Sequence, residues 1–267
     1  MADLPLSLAP FYPPERLQQL AQKVSQSDLA GLAARWRLAK EIVLDLTSLA
    51  LYDLAIYADD SGSMAYEDQG ERIEDLKSIL AQVADVVTMF DDDGILISFM
   101  NSNVQVSVRN AQDASSVLAQ TKFQGQTPLG TSLDRKILQP LVLAPAGNGS
   151  LPKPVLIVII TDGEPSGEPR DTLIRVLRNA KAVLTRTRYG PGAVAFQLAQ
   201  VGKDAAAQRF LGEIDTHPEV GRMVDATSYY EMAAEEFGRK GVDLTPNLYL
   251  VKLMVGAIDR SYDEADE

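Results

Sequence analysis

Apolar residues recur along the chain in two patterns, one typical of helices and one typical of buried strands. The first 50 residues show only the helical spacing, with one helix predicted after Pro13-Pro14 and a second after an N-cap at Ser27. Their apolar stripes consist of Leu17, Leu20, Ala21 and Val24, and of Leu29, Leu32, Trp36, Ala39 and Val43. A helix of this kind needs a surface that buries its stripe. We therefore expect residues 1–50 to form a helical extension packed on the domain that follows.

From Tyr52 onward, short apolar runs alternate with helical patterns. Strands are predicted at 54–58, 95–100, 104–108, 155–161 and 194–201, and helices near 72–90, 129–138, 169–187, 205–214, 229–239 and 246–257. The run 155–161 is uniformly apolar and rich in β-branched residues, which is typical of a central parallel strand covered on both faces. The alternation of strand and helix patterns predicts an α/β fold, with a Rossmann-like, doubly wound, mostly parallel sheet and helices on both faces. This domain is expected to span residues 51–258, followed by a disordered acidic tail at 259–267.

Composition narrows the classes of function. The chain has 267 residues and no cysteine, which excludes disulfides, thiolate metal sites and a cysteine nucleophile. Its formal net charge of −12 argues against nucleic acid and anionic membranes as partners, because both attract basic surfaces. No apolar run approaches the ~20 residues that a membrane span needs, and the first residues do not resemble a signal peptide. The expectation is a cytoplasmic, monomeric, acidic protein.

Three polar segments lie where loops leave the predicted sheet. Asp59, Ser61 and Ser63 alternate directly after the first strand, Thr127 precedes a proline that opens a helix, and Asp162 follows the most apolar strand. Ligands of parallel sheets bind outside the carboxyl ends of the strands, so these side chains are expected to converge there. All five offer hard oxygen atoms, which favour Mg²⁺, Mn²⁺ or Ca²⁺ over zinc.

The three segments resemble the metal-ion-dependent adhesion site of von Willebrand factor A domains, and the resemblance covers about residues 50–230. The first segment matches the pattern D-x-S-x-S, the second matches T-x-x-G, and Asp162-Gly163 matches the later aspartate. The resemblance implies one divalent cation, Mg²⁺ above all, bound by Asp59, Ser61, Ser63, Thr127 and Asp162. It also implies a non-enzymatic interaction module, in which the cation bridges to an Asp or Glu of a protein partner. The intact motif is most similar to stand-alone intracellular fungal members of the family.

Two alternatives remain open beside this interpretation. A Mg²⁺-dependent phosphotransferase or phosphatase could use Asp59 as its nucleophile, although we see no lysine placed as a phosphate clamp near Asp162. The site could also be degenerate and bind no cation. His217, the only histidine, is expected at the surface. Asp60 and Glu164, the additional acids beside the motif, are expected to be solvated residues at the rim of the site.

Overall fold

A computed structural model describes residues 8–91 and 93–263 of the chain. Within this part, six strands form one sheet: β1 (Asp53–Ala58), β2 (Ile95–Phe99), β3 (Gln105–Val108), β4 (Val155–Thr161), β5 (Val194–Gln200) and β6 (Val224–Thr227). Their order is β3-β2-β1-β4-β5-β6. Neighbouring strands are parallel except for β3, which pairs with β2 in the antiparallel direction. The predicted α/β class and the mostly parallel sheet are confirmed.

The middle of the sheet is the most buried part of the fold. All seven residues of β4 are buried, as are all seven of β5. The uniform apolar run that predicted a central strand therefore reflects contact with helices on both faces. Because the strand order reverses between β1 and β4, the crevice at their carboxyl ends is the topological switch point, where sheets of this kind bind ligands.

Helices connect the strands and cover the sheet. Their bounds are α1 (Pro14–Ser25), α2 (Leu29–Trp36), α3 (Lys40–Asp45), α4 (Gly62–Tyr66), α5 (Glu71–Val87), α6 (Ala111–Gln120), α7 (Leu129–Leu133), α8 (Ala144–Gly147), α9 (Thr172–Thr185), α10 (Ala205–Asp215), α11 (Tyr230–Arg239), α12 (Pro246–Val255) and α13 (Arg260–Asp263). A π-helical stretch, Asp134–Leu143, joins α7 to α8 and contains Pro140. Proline has no backbone N–H to donate, so it removes one ordinary helical hydrogen bond within that stretch.

The helices form two layers. The α5 helix contacts α6 and α12, whereas α7 contacts α9. Right-handed crossovers on the two sides of the β1–β4 boundary place α5 and α9 on opposite faces of the sheet. Gly130 allows the close approach of α7 to α9, because a Cβ at this position would lie 2.7 Å from the backbone nitrogen of Leu173.

The N-terminal segment packs on the domain but differs from its prediction in detail. The second helix has Asp28, not Ser27, as its N-cap, with the carboxylate accepting a hydrogen bond of 2.8 Å from the N–H of Gly31. It does not continue to Val43, because Arg37 adopts a left-handed conformation (φ 52°) that ends it. Leu32, Trp36 and Val43 are nevertheless buried, while Ala39 is exposed.

Besides α13, four elements were not predicted: β6, α4, α6 and α8. The expectation of disorder after Ile258 is wrong for residues 260–263, which form α13. The Tyr262 hydroxyl donates a hydrogen bond of 2.7 Å to the Asp45 carboxylate in the N-terminal segment. The rest of the predicted tail, residues 264–267, lies outside the described residues.

Across residues 8–91 and 93–263, no helix is both long enough and apolar enough to cross a bilayer.

The contact between α7 and α9 generates a stability prediction. We expect Gly130→Ala to lower the free energy of unfolding by about 2 kcal/mol, because the new methyl group would overlap backbone atoms that cannot rotate away. Gly147→Ala is the matched control, since a Cβ at Gly147 would meet no atom within 4 Å and alanine favours helices. Urea denaturation of both variants measures the difference, and equal stabilities would contradict the proposed close approach.

Candidate metal centre

Four of the five candidate ligands lie in the segments that directly follow β1 and β4. Asp59 follows β1 directly and its N–H donates to the Ile160 carbonyl of β4, so the strand pairing extends into the site. Ser61 is the residue before α4 and Ser63 lies in its first turn. Asp162 follows β4. The structure therefore brings these four residues together at the carboxyl ends of β1 and β4, as predicted.

Hydrogen bonds join these four residues into one chain of contacts. Asp59 Oδ1 accepts from the N–H of Ser61 at 2.8 Å. The hydroxyl oxygens of Ser61 and Ser63 lie 3.0 Å apart, and the Ser63 hydroxyl donates to Asp162 Oδ1 at 3.0 Å. A single centre thus brings together two carboxylates and two hydroxyls from segments that are 99 residues apart in sequence.

Thr127 lies in the same group of loops but is held differently. Its N–H donates to the Ser166 hydroxyl at 2.9 Å, and its carbonyl accepts from the N–H of Ser166 at 3.0 Å. Two further backbone bonds, from Gly62 to the Gly125 carbonyl and from Gln124 to the Asp60 carbonyl, tie the Thr127 loop to the Asp59 loop. Thr127 is buried, yet within the described residues its hydroxyl makes no hydrogen bond to the other four side chains.

The electrostatics of the centre are dominated by two buried carboxylates. Asp59 is fully buried and Asp162 is 1% exposed. Burial, and secondly the charge of Asp162, raise the pKa of Asp59 to about 6, although hydrogen bonds from Ser61 and Thr161 oppose the rise. The Thr161 hydroxyl donates to Asp59 Oδ2 at 2.7 Å, so both oxygens of this carboxylate accept hydrogen bonds.

Arg72 is the residue of this centre that the sequence did not reveal. Its guanidinium donates to Asp162 Oδ2 at 2.5 Å, and only 6% of its side chain is exposed. The sequence pattern marked Arg72 only as the start of a helix. Its spacing of four residues from Asp68 is a detectable signal for a helical ion pair, but nothing in the motif indicates a contact with a residue 90 positions away.

An unusual turn before α5 holds Arg72 in place. Asp68, Gln69 and Gly70 all adopt left-handed backbone conformations, with φ of 48°, 54° and 88°. Such conformations are uncommon for residues other than glycine. The turn brings the carboxylates of Glu67 and Asp68 each within 2.7 Å of the Arg72 guanidinium. The guanidinium therefore contacts three carboxylates, of which only Asp162 is buried.

The two additional acids beside the motif have different roles. The expectation of a solvated rim residue is wrong for Asp60, which is fully buried. Its carboxylate accepts hydrogen bonds from the backbone N–H groups of Asn101 and Ser102, at 2.7 and 2.8 Å, and so fixes the loop after β2. Glu164 is partly exposed and pairs with Arg170 at 3.0 Å, as a residue at the rim would.

The donor atoms suit a hard cation. Within the described residues, no group of three or more His, Cys, Asp or Glu side chains is arranged to hold a metal ion. The candidate centre contains two such residues, Asp59 and Asp162, so its remaining protein ligands would be the hydroxyls of Ser61, Ser63 and Thr127. Oxygen atoms alone, some of them neutral, form a set that Mg²⁺ accepts, usually with several waters retained. The residues present therefore fit a divalent cation.

No protein-family model matches the chain, and no curated protein sequence matches it. Among solved structures, it is similar to two structures of proximal thread matrix protein 1 from the mussel byssus, with 18% identity in both and TM-scores of 0.48 and 0.47. These matches cover 79% and 76% of this chain but 48% and 47% of the mussel protein.

The third similarity is to the pilus adhesin SpaC of Lactobacillus rhamnosus GG. It has 12% identity and a TM-score of 0.45, and covers 78% of this chain and 31% of the adhesin. The chain thus spans about half the length of the mussel protein and about a third of the adhesin. At these TM-scores the fold assignment rests on the strand order and pairing of the chain itself.

The buried contact between Arg72 and Asp162 generates a second stability prediction. We expect Arg72→Met to lower the free energy of unfolding by about 3 kcal/mol in the presence of EDTA. The substitution leaves the buried Asp162 carboxylate without the guanidinium that pairs with it. Arg170→Met is the control, since Arg170 also contacts two carboxylates but is half exposed, where solvent screens the interaction. Equal losses in the two variants, measured by urea denaturation, would contradict the role of Arg72.

The raised pKa of Asp59 generates a prediction for pH. Without divalent cations, the folded chain keeps the Asp59 proton up to about pH 6, whereas the unfolded chain releases it near its ordinary pKa of 3.8. This stabilising contribution is present in full below the lower value and is lost as the pH rises through the higher one. At about pH 8 we expect Asp59→Asn to be more stable than the wild type by about 2–3 kcal/mol.

The advantage of Asp59→Asn should disappear at about pH 4, where the wild-type carboxyl is protonated in the folded chain. Urea denaturation in EDTA across this pH range measures both proteins. Parallel stability curves for the two would show that Asp59 titrates normally.

Proposed function

We propose that the chain is a member of the von Willebrand factor A family and acts as a protein-interaction module that depends on a divalent cation. Mg²⁺ is the expected ion, with Mn²⁺ and Ca²⁺ as alternatives. The proposed ligands are Asp59, Ser61, Ser63, Thr127 and Asp162. The observation that carries the proposal is the chain of hydrogen bonds from Asp59 through Ser61 and Ser63 to Asp162 at the switch point of the sheet, with both carboxylates buried.

Charge balance supports a cation at this centre. Asp59 and Asp162 carry two negative charges in a buried environment, and Arg72 is the positive group that contacts one of them. Asp59 accepts hydrogen bonds only from neutral groups, and burial, followed by the charge of Asp162, raises its pKa. A divalent cation would offset the remaining charge and favour the ionised form of Asp59.

The residues of the chain would divide the work of the site. Asp59 and Asp162 attract the cation, and the serine and threonine hydroxyls add neutral oxygen ligands that leave most of the ionic charge uncompensated. Arg72 and Ser63 hold the Asp162 carboxylate in one orientation. When bound, the cation supplies an electrophilic position that an Asp or Glu of the partner can fill.

The proposal also covers the organisation of the chain. Residues 51–258 would form the interaction domain, and residues 1–50 would serve as a support packed against it. Tyr12 and Asn247 show contacts of this kind, since the Tyr12 hydroxyl donates to the Leu51 carbonyl at 2.6 Å and the Asn247 side chain donates to the Trp36 carbonyl at 2.7 Å. A cytoplasmic location and a monomeric state belong to the same proposal.

The phosphotransferase alternative gains no support from the geometry. Both oxygens of Asp59 accept hydrogen bonds, which lowers their availability as nucleophiles. The guanidinium beside Asp162 is engaged by three carboxylates and is a poor candidate for a phosphate clamp.

The metal site can be tested directly. We expect isothermal titration calorimetry to show Mg²⁺ binding to the full chain, and Asp59→Ala to weaken it at least about tenfold, because the variant loses a charged ligand. Glu164→Gln is the matched control, since it removes a nearby acidic charge that is partly exposed and paired with Arg170. Circular dichroism should confirm that both variants fold.

Partner capture provides the functional measurement. Proteins retained from lysate by the immobilised wild type in Mg²⁺ should be lost with EDTA and with Asp59→Ala, but kept with Glu164→Gln. If the same proteins are captured in EDTA and by Asp59→Ala, the proposed bridging by a cation is wrong. Mg²⁺-dependent hydrolysis of a phosphate ester, abolished by Asp59→Ala, would instead favour the enzymatic alternative.

A further inference from the structure

A groove of about 750 Å³ lies beside the candidate metal centre. Its walls come from α5 and the turn before it, the loop after β5, and the first residues of α11 and α12. Arg72 separates the two sites, because it lines the groove and also contacts Asp162. The volume is within the range of ordinary ligand sites, and nothing in the proposed metal centre requires the groove.

Negative charge dominates the lining of the groove. Two basic side chains line it, those of Arg72 and Lys203. Five carboxylates also line it, and they belong to Asp68, Glu71, Glu74, Asp75 and Glu231. Arg72 is engaged by Asp68, Glu67 and Asp162, and Lys203 lies 3.5 Å from Glu231. In the described part of the chain, Glu71 and Asp75 have no ion-pair partner. Partial burial, followed by the charges of Glu231, Glu71 and Asp68, raises the pKa of Asp75.

Gln200 gives the groove a second, independent feature. It lines the groove at the end of β5 and is 1% exposed. Its amide nitrogen donates to the carbonyls of Gly202 and Asp204, but its Oε1 has no hydrogen-bond partner. Among residues 8–91 and 93–263, it is the only buried side-chain polar atom in that condition. Buried acceptors are normally satisfied, so this oxygen indicates a missing donor.

The remaining walls suit an amphipathic side chain. Tyr229, Tyr230 and Tyr249 present aromatic surface, and Ile79 and Leu250 present aliphatic surface. Long basic side chains bury their methylene groups along such surfaces while their charged ends reach polar groups. A guanidinium also stacks on tyrosine rings and can reach two acceptors at once, which an ammonium does less well. The carboxylates do not form a group suited to a metal ion among the described residues.

We propose that this groove is a second binding site, which takes an arginine side chain from a partner peptide. The guanidinium pairs with the carboxylates of Asp75 and Glu231 and supplies the donor that Gln200 Oε1 lacks. The methylene groups of the arginine pack against the tyrosine and aliphatic walls. Binding at this site does not require a divalent cation, so it stands apart from the proposed function of Asp59 and Asp162.

The test is a titration of the ¹⁵N-labelled full chain in EDTA, followed by two-dimensional NMR. The probe is a blocked tripeptide, acetyl-Gly-Arg-Gly-amide, and its uncharged isostere contains citrulline in place of arginine. The arginine peptide should cause saturable shifts of the backbone amides of Gly70, Gly202 and Glu231. The citrulline peptide should bind at least about threefold more weakly, because it lacks the charge.

Variants separate the groove from the net acidity of the chain. Asp75→Asn and Glu231→Gln should each weaken the arginine peptide about threefold. Glu235→Gln is the matched control, because Glu235 lies on α11 with Glu231 but pairs with Arg239 and does not line the groove. Binding to Asp59→Ala should be unchanged, so a failed metal site and a failed groove remain distinguishable.

Three results would overturn the proposal. The first is the absence of saturable shifts with the arginine peptide. The second is a citrulline peptide that binds as tightly as the arginine peptide. The third is a loss of affinity in Glu235→Gln as large as that in Asp75→Asn and Glu231→Gln.

Discussion

β1 and β4 lie side by side in the middle of the sheet, and their pairing runs in register from Asp53 and Val155 to Ala58 and Ile160. This parallel pairing fixes where the chain leaves the sheet after β1 and after β4, and therefore where Asp59 and Asp162 come together. The flanking strands and the helices on both faces bury β4 completely. A shift of one residue between the two strands would turn every side chain of one strand to the other face of the sheet. The apolar core and the polar centre thus depend on the same register.

The polar centre introduces a cost that the core alone would not carry. Two carboxylates are held away from water. Neutral hydrogen-bond donors stabilise Asp59, and a guanidinium stabilises Asp162. Gly202 leaves room for that guanidinium, because a Cβ at this position would lie 2.5 Å from Arg72 Nε. Its left-handed backbone (φ 72°) also favours glycine at this position. The loop after β5, which contributes no predicted ligand, therefore helps to shape the centre.

The parts of the fold that the sequence predicts well are those set by local pattern. β4 is a run of apolar, β-branched residues whose predicted ends are correct, and the strands predicted at 54–58 and 95–100 agree with β1 and β2 to within one residue. β6 is not predicted because it is four residues long and contains Asp225. That aspartate is buried in contact with Gln197 and Lys252, which lie 28 and 27 residues away in sequence. Local patterning cannot reveal such compensation.

The candidate site divides along the same line. Asp59, Ser61, Ser63 and Asp162 are predictable because each lies at a strand end or in the adjoining loop, and strand ends are visible in the sequence. Arg72 is not, because its essential contact is with a residue 90 positions away. The prediction for Asp60 fails because its burial depends on backbone N–H groups of the loop after β2, whose path the sequence does not specify.

The strand order has a further consequence for how the molecule can meet others. The outer strands of the described sheet, β3 and β6, are each four residues long. Short edge strands offer little unpaired backbone to a strand from another chain, and they are a common protection against edge-to-edge aggregation. Growth of the sheet by added strands is therefore disfavoured at both sides. The loops and helix ends at the carboxyl ends of the strands present side-chain groups instead, so side-chain chemistry rather than backbone pairing sets selectivity there.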